Sequence, residues 1–151
     1  MEKQEEAVQL FMSGFRCSQA VLEVFAAEAG LGIDMARRIS IGLAGGSGCA
    51  GECGAVEAAY LVNGLRFGFS HPGDSEQFRV VIGKNSEFAD RFRGLHASLL
   101  CRELIGVDPF TEEGMQAFQE KDLKNSICAR LVSDAVMILQ EIGTTPQPPQ
   151  M

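Results

Sequence analysis

Hydrophobic positions recur at helical spacing along nearly the whole chain. Ala7, Val8, Leu10 and Phe11 mark a short amphipathic helix over Lys3–Met12, broken by Ser13 and Gly14. Ala20, Val21, Val24 and Phe25 predict a second helix over residues 19–29, with Ser18 as its cap and Gly30 and Gly32 beyond its end. Asp34 is the expected cap of a third helix, running through Ile41. Val56, Tyr60, Leu61 and Leu65 share one side of a helix over residues 53–65. A loop follows over residues 68–74, which contain His71-Pro72-Gly73. Ser75 then opens a long segment to about Leu95, where Phe78, Val81, Ile82, Phe88, Phe92 and Leu95 keep a helix period.

The C-terminal third continues the pattern. Residues 99–105 form a short helical turn ended by Gly106, and Thr111 with Glu112 and Glu113 opens an acidic-first helix. Ser126 is the expected cap of the last helix, whose apolar face carries Ile127, Leu131, Val132, Ala135, Val136, Ile138 and Leu139. The connections are short, and neither a repeat nor a linker divides the chain. The expected fold is an all-α, single-domain helical bundle over residues 1–143, with a glycine-rich turn carrying a Cys-x3-Cys pair. The tail TTPQPPQM, residues 144–151, cannot build a core and is expected to be disordered.

A chain of 151 residues is long enough for a core that buries roughly 70% of the unfolded surface, so the fold does not depend on disulfides. The net charge of −7 disfavours nucleic acid, and no basic run marks a membrane surface. The acidic N-terminus lacks the character of a signal peptide, and no window approaches the ~20 apolar residues of a membrane span. The expected location is the cytoplasm. Thiols are kept reduced there, so cysteines read as metal-binding, catalytic or inert in preference to disulfide-bonded.

Five cysteines are the candidate chemistry. The stretch GLAGGSGCAGECG, residues 42–54, holds Cys49 and Cys53. On a regular helix their side-chain roots would stand about 5–6 Å apart, wider than the ~3.8 Å a disulfide wants. A disulfide would need the backbone to leave the helix, which Gly48, Gly51 and Gly54 permit. A shared metal needs less distortion. Cys17, Cys53 and Cys128 fall near expected helix starts, where free N–H groups and the helix dipole favour a thiolate. Singly, Cys101 and Cys128 also read as small apolar core residues. Cys49 and Cys53 are the catalytic candidates, and all of Cys17, Cys49, Cys53, Cys101 and Cys128 are candidate metal ligands.

Other residues compete for attention. GSGCAG, residues 46–51, fits the dinucleotide pattern G-x-G-x-x-G, and Ile39, Ile41 and Leu43 alternate before it as a strand would. Against that, Asp34 starts a helix running into the supposed strand. His71 reads as solvated, and His96 reads as surface-exposed although it lies five residues before Cys101. Met12, Met35 and Met115 read as core or surface filler. Glu52 and Arg102 stand beside cysteines and could tune local charge or simply face water.

The order of the cysteines resembles a redox-active family named for a C…GCAxxC…C…C pattern. Cys17 lies in GFRCSQAVL, Cys49 and Cys53 in GCAGEC, Cys101 in CRELIG and Cys128 in SICARLV, so the resemblance spans about Phe11 to Val132. It implies a small, mainly helical protein with a redox role carried by these cysteines. The family is similar to a domain of a haem-binding split-Soret cytochrome, but this chain has no C-x-x-C-H run for a c-type haem.

Three functions follow. The leading one is a redox-active protein, working by thiol–disulfide exchange with Cys53 as attacking thiolate, or by an iron–sulfur cluster or zinc held by four of the five cysteines. Its expected partner is a redox protein or a small-molecule reductant. The second is a non-enzymatic helical module with a structural metal, binding a partner such as a second copy of itself. The third is dinucleotide binding at GSGCAG.

Overall fold

The computed structural model describes residues 1–144, apart from the side chain of Thr144. Among these residues the architecture is eight α-helices and no strand. They are α1 (Lys3–Met12), α2 (Cys17–Ala26), α3 (Ile33–Ser40), α4 (Gly54–Phe67), α5 (Ser75–His96), α6 (Cys101–Ile105), α7 (Glu112–Glu120) and α8 (Ala129–Thr144). The expected all-α class is observed. The tail lies outside the described residues.

Helix α2 is the axis of the bundle. Ser18, Ala20, Val21, Leu22, Val24, Phe25 and Ala26 are all buried, so little of its circumference meets water. It packs on α1, α3, α4 and α8. Ala55, Ala58 and Ala59 face inward on α4, and side chains this small let two helix backbones approach closely. The core closes with Val56 and Val62 of α4, Phe88 and Phe92 of α5, and Val132, Val136, Leu139 and Ile142 of α8.

Buried side chains need their charges and polar groups settled, and long-range pairs do this. The Arg37 guanidinium grips the Glu23 carboxylate through two bonds of 2.7 and 2.8 Å, fastening α3 to α2. Arg66 lies over the Phe25 ring at 4.8 Å and donates to the Leu139 carbonyl at 2.7 Å, joining α4 to α8. His96 is 12% exposed at its side chain and bonds Asp134 at 2.9 Å, joining α5 to α8. The expectation of a surface histidine is corrected, because Phe92 packs on its ring at 4.8 Å and Asp134 supplies the polar partner. His71 is exposed, as expected.

Several helix starts differ from expectation by one to three residues, each for a local reason. Helix α2 starts at Cys17, because the Ser18 hydroxyl is drawn inward to the Ser40 carbonyl at 2.7 Å and the Arg16 N–H is taken by Gln19 Oε1. Helix α3 follows Gly32, and Asp34 lies inside it. Asp74, not Ser75, caps α5, accepting from the Gln77 N–H at 3.0 Å. Thr111 caps α7 as expected, accepting from the Gly114 N–H at 2.9 Å. Ser126 caps nothing; its hydroxyl bonds the Asp122 carbonyl at 2.9 Å within a wide turn over Lys124–Cys128 that leads into α8.

The supposed strand is also corrected. Ile39 belongs to α3, and Ile41–Leu43 continue it as a tighter turn. Their alternation does not become a strand, because the Ser40 hydroxyl bonds back to the Ala36 carbonyl at 2.7 Å and keeps the chain helical. With no strand before GSGCAG, the βα frame that gives a dinucleotide fingerprint its meaning is absent from the described residues.

Phe92 is fully buried and stacks on Phe88 at 5.8 Å. Phe92→Ala should therefore lower unfolding free energy by about 3–5 kcal/mol, read as a shift of the denaturant midpoint with unchanged slope.

Candidate functional site

The stretch before α4 is held by its backbone. Gly45, Gly46, Ser47, Gly48 and Ala50 all have positive φ. At Gly46 the conformation is obligatory on two counts: φ is 64°, and a Cβ there would lie 2.3 Å from the Gly51 nitrogen. The Gly51 N–H closes the loop on the Gly46 carbonyl at 3.1 Å, and the Ser47 hydroxyl ties it to Glu57 of α4 at 2.8 Å. Residues 51–53 then run antiparallel beside residues 99–101, with an isolated bridge between Glu52 and Leu100. The Cys53 N–H donates to the Leu99 carbonyl at 2.7 Å, and the Cys101 N–H to the Gly51 carbonyl at 2.6 Å. Cys53, opposite Leu99, and Cys101, opposite Gly51, are thereby held on adjoining segments although distant in sequence.

Four cysteines line one cavity of ≈ 510 Å³: Cys17, Cys53, Cys101 and Cys128. Three stand at helix starts and the fourth ends the wide turn that runs into α8. Cys17 and Cys101 are the first residues of α2 and α6, Cys53 is the cap of α4, and Cys128 precedes α8. Packing at the floor is tight: a Cβ on Gly54 would lie 2.7 Å from the Cys17 sulfur and 2.8 Å from the Leu43 carbonyl. Only glycine fits between α4 and that thiol. All five cysteines are free thiols.

Cys49 is placed differently. It is exposed, outside the cavity wall, with its thiol directed to the Gly46 carbonyl at 3.3 Å. Of the sequence candidates, four therefore meet and one does not. Cys49 and Cys53 do not share one helix, because the chain leaves helical geometry between them and α4 begins at Gly54.

Burial pushes all four cavity thiols up from their ordinary value of 9.0. Cys101 rises to about 11 and Cys128 to about 12, each by desolvation first and then by repulsion from Cys17. Cys17 and Cys53 are raised by desolvation too, against backbone N–H groups that pull the other way. Backbone N–H groups at Cys17 and Cys53 favour sulfur anions, but the apolar surroundings favour thiols, and burial wins. Among the described residues, no three His, Cys, Asp or Glu side chains stand at the spacing of a single metal ion.

Neither Glu52 nor Arg102 lines the cavity. Glu52 accepts a 2.5 Å hydrogen bond from Tyr60 on the other side of its loop, and Arg102 is exposed. Met115 lines the cavity, whereas Met12 and Met35 are exposed on the surface. Sequence reasoning missed Arg16, Lys124 and Phe110 on the cavity wall. Arg16 adjoins Cys17 and Lys124 precedes Cys128 by four residues, a spacing that could have signalled both.

An all-α protein with a thiol-lined cavity fed by helix starts is a cysteine-centred protein by construction. The chain belongs to the family described as "Putative redox-active protein (C_GCAxxG_C_C)", which it matches over residues 15–142. Read onto this chain, the signature's four cysteines fall at Cys17, Cys49, Cys101 and Cys128, and its glycine falls where this chain has Cys53. No curated protein and no solved structure matches the chain. No helix among the described residues is long and apolar enough to cross a membrane.

The raised thiols make stability pH-dependent. A thiol with a folded value above its unfolded one contributes stability that is whole below pH 9 and is lost as pH rises through the folded value. With Cys101 at about 11 and Cys128 at about 12, the melting temperature of the reduced protein should fall steadily between pH 9 and 12. A Cys101→Ala, Cys128→Ala double variant should flatten that fall.

Proposed function

We propose that this protein carries electrons through a cysteine-ligated iron–sulfur centre seated in the cavity. The observation behind this reading is that Cys17, Cys53 and Cys101, from three helix starts, and Cys128, from the turn before α8, line one space. Four cysteines are the usual ligand complement of such clusters. A single zinc would hold its sulfurs at about 2.3 Å, and no three thiols stand at single-ion spacing. A cluster of several irons spreads its ligating sulfurs farther apart, which suits thiols arranged around an open cavity.

When bound, the centre would supply one-electron transfer. The chain's own part is to fix the sulfurs, exclude water and direct backbone N–H groups at them. Cys17, Cys101 and Cys128 belong to both the cavity and the family signature. The fourth ligand by position is Cys53, not the signature's Cys49. A redox protein or a small-molecule reductant would be the electron source.

A second reading has its own observation. Cys49 is exposed four residues from the buried Cys53. In thiol–disulfide exchange, the Cys49 thiolate would attack a substrate disulfide and release one thiol. Cys53 would then displace the second, forming a Cys49–Cys53 disulfide as two electrons pass to the substrate. Cys53 is unsuited to attack first, being 5% exposed and held protonated by burial.

Anaerobic purification with visible absorption, iron and acid-labile sulfide analysis tests the leading reading. The expected result is a brown protein whose iron is kept by Cys49→Ser and lost at least tenfold in Cys17→Ser, Cys101→Ser and Cys53→Ser. Iron loss in Cys49→Ser but not in Cys53→Ser would move the fourth ligand to the signature position. A colourless, metal-free protein that cycles with dithiol reductants would replace the leading reading by the second.

A further inference from the structure

The cavity's charge is opposite to that of the chain. The protein carries a net charge of −7. Yet the charged side chains on the cavity wall are Arg16 and Lys124, and no carboxylate lines it. Besides Ser47 and the four cysteines, the rest of the wall is apolar or glycine, including Phe11, Ile41 and Phe110. A cleft lined by one sign of charge, with low-dielectric walls, focuses the field of that charge inward. Backbone N–H groups at the starts of α2 and α4 add partial positive charge at the Cys17 and Cys53 sulfurs. Lys124 already acts on Cys128, opposing the upward push of burial. An opposing group is Asp108, which acts on Cys101 and whose carboxylate also accepts from the Phe110 N–H at 2.9 Å.

We infer that this cavity selects an anion, with Arg16 and Lys124 as the selecting charges. The inference rests on the reading above for the identity of that anion. An iron–sulfur centre held by four thiolates is negative as a unit, and reduction adds one electron with no atom gained or lost. Arg16 and Lys124 therefore favour the reduced state and raise the midpoint potential, while Asp108 lowers it. Neither cation is a ligand; both act through the field at the sulfurs.

Two measurements test this, one of them independent of iron. In the reduced metal-free protein carrying Cys49→Ser, the cavity thiolates displace iodide from iodoacetate, an anion, or from iodoacetamide, its neutral analogue. The expected ratio of the two rates falls several-fold in Arg16→Gln, Lys124→Gln and recovers in Arg16→Lys, Lys124→Arg. A ratio that does not change overturns the anion site. In the anaerobically loaded protein, potentiometric titration with dithionite should show the double Gln variant about tenfold less reduced at a fixed potential, about 59 mV for a one-electron couple. Asp108→Asn should shift the potential the opposite way. Loaded protein with an unshifted potential overturns the tuning role. Failure to load iron with a normal alkylation response overturns the iron reading and leaves the anion site standing.

Discussion

Everything at the site depends on bringing the starts of α2, α4 and α6 and the turn before α8 to one cavity. The starts of α2 and α4 carry backbone N–H groups that no carbonyl of their own helix accepts, and these act on Cys17 and Cys53. Pointing several of them at one cavity is unfavourable unless something electron-rich sits there. Sulfur at the first or capping position of α2, α4, α6 and the turn before α8 meets that need in part. As thiols, the same sulfurs are buried and mutually repulsive on ionising, so they stay protonated. The cavity is thus poised between two demands, and an occupant that draws the protons off would satisfy both.

The scaffold makes the convergence possible through small residues. Alanines on α4 bring it close to α2, and Gly54 admits the Cys17 sulfur where any side chain would collide with it. The loop before α4 then turns through a run of positive φ values that ordinary residues avoid. That strain is held by hydrogen bonds at both ends: Gly51 back to Gly46, and residues 51–53 onto residues 99–101. The consequence is a sorting of two neighbouring cysteines, with Cys53 turned into the core and Cys49 left facing water. The family signature has glycine at the position of Cys53, so this chain places a sulfur where the signature has none.

Away from the site, the bundle is closed by packing with few but long-reaching polar ties. Arg66 spans α4 to α8 and His96 spans α5 to α8, each backed by an aromatic ring. These ties matter to the cavity because α8 follows Cys128 directly. A shift of α8 along the bundle would move one of the four sulfurs.

Periodicity alone determined the helices, the all-α class and the short connections, because 3.6-residue spacing of apolar side chains is a local property. The spacing and company of the cysteines also singled out the five thiols and the glycine-rich stretch. Helix starts were less legible, because Ser18 and Ser126 are good caps in isolation and found better partners in Ser40 and Asp122. His96 was legible only through Asp134, thirty-eight residues on. Which four sulfurs share a cavity was decided by the tertiary structure. The sequence placed Cys53 near a helix start and Cys49 just before it, but only the backbone path from Gly46 to Cys53, fixed against Leu99 and Cys101, sends one inward and the other out.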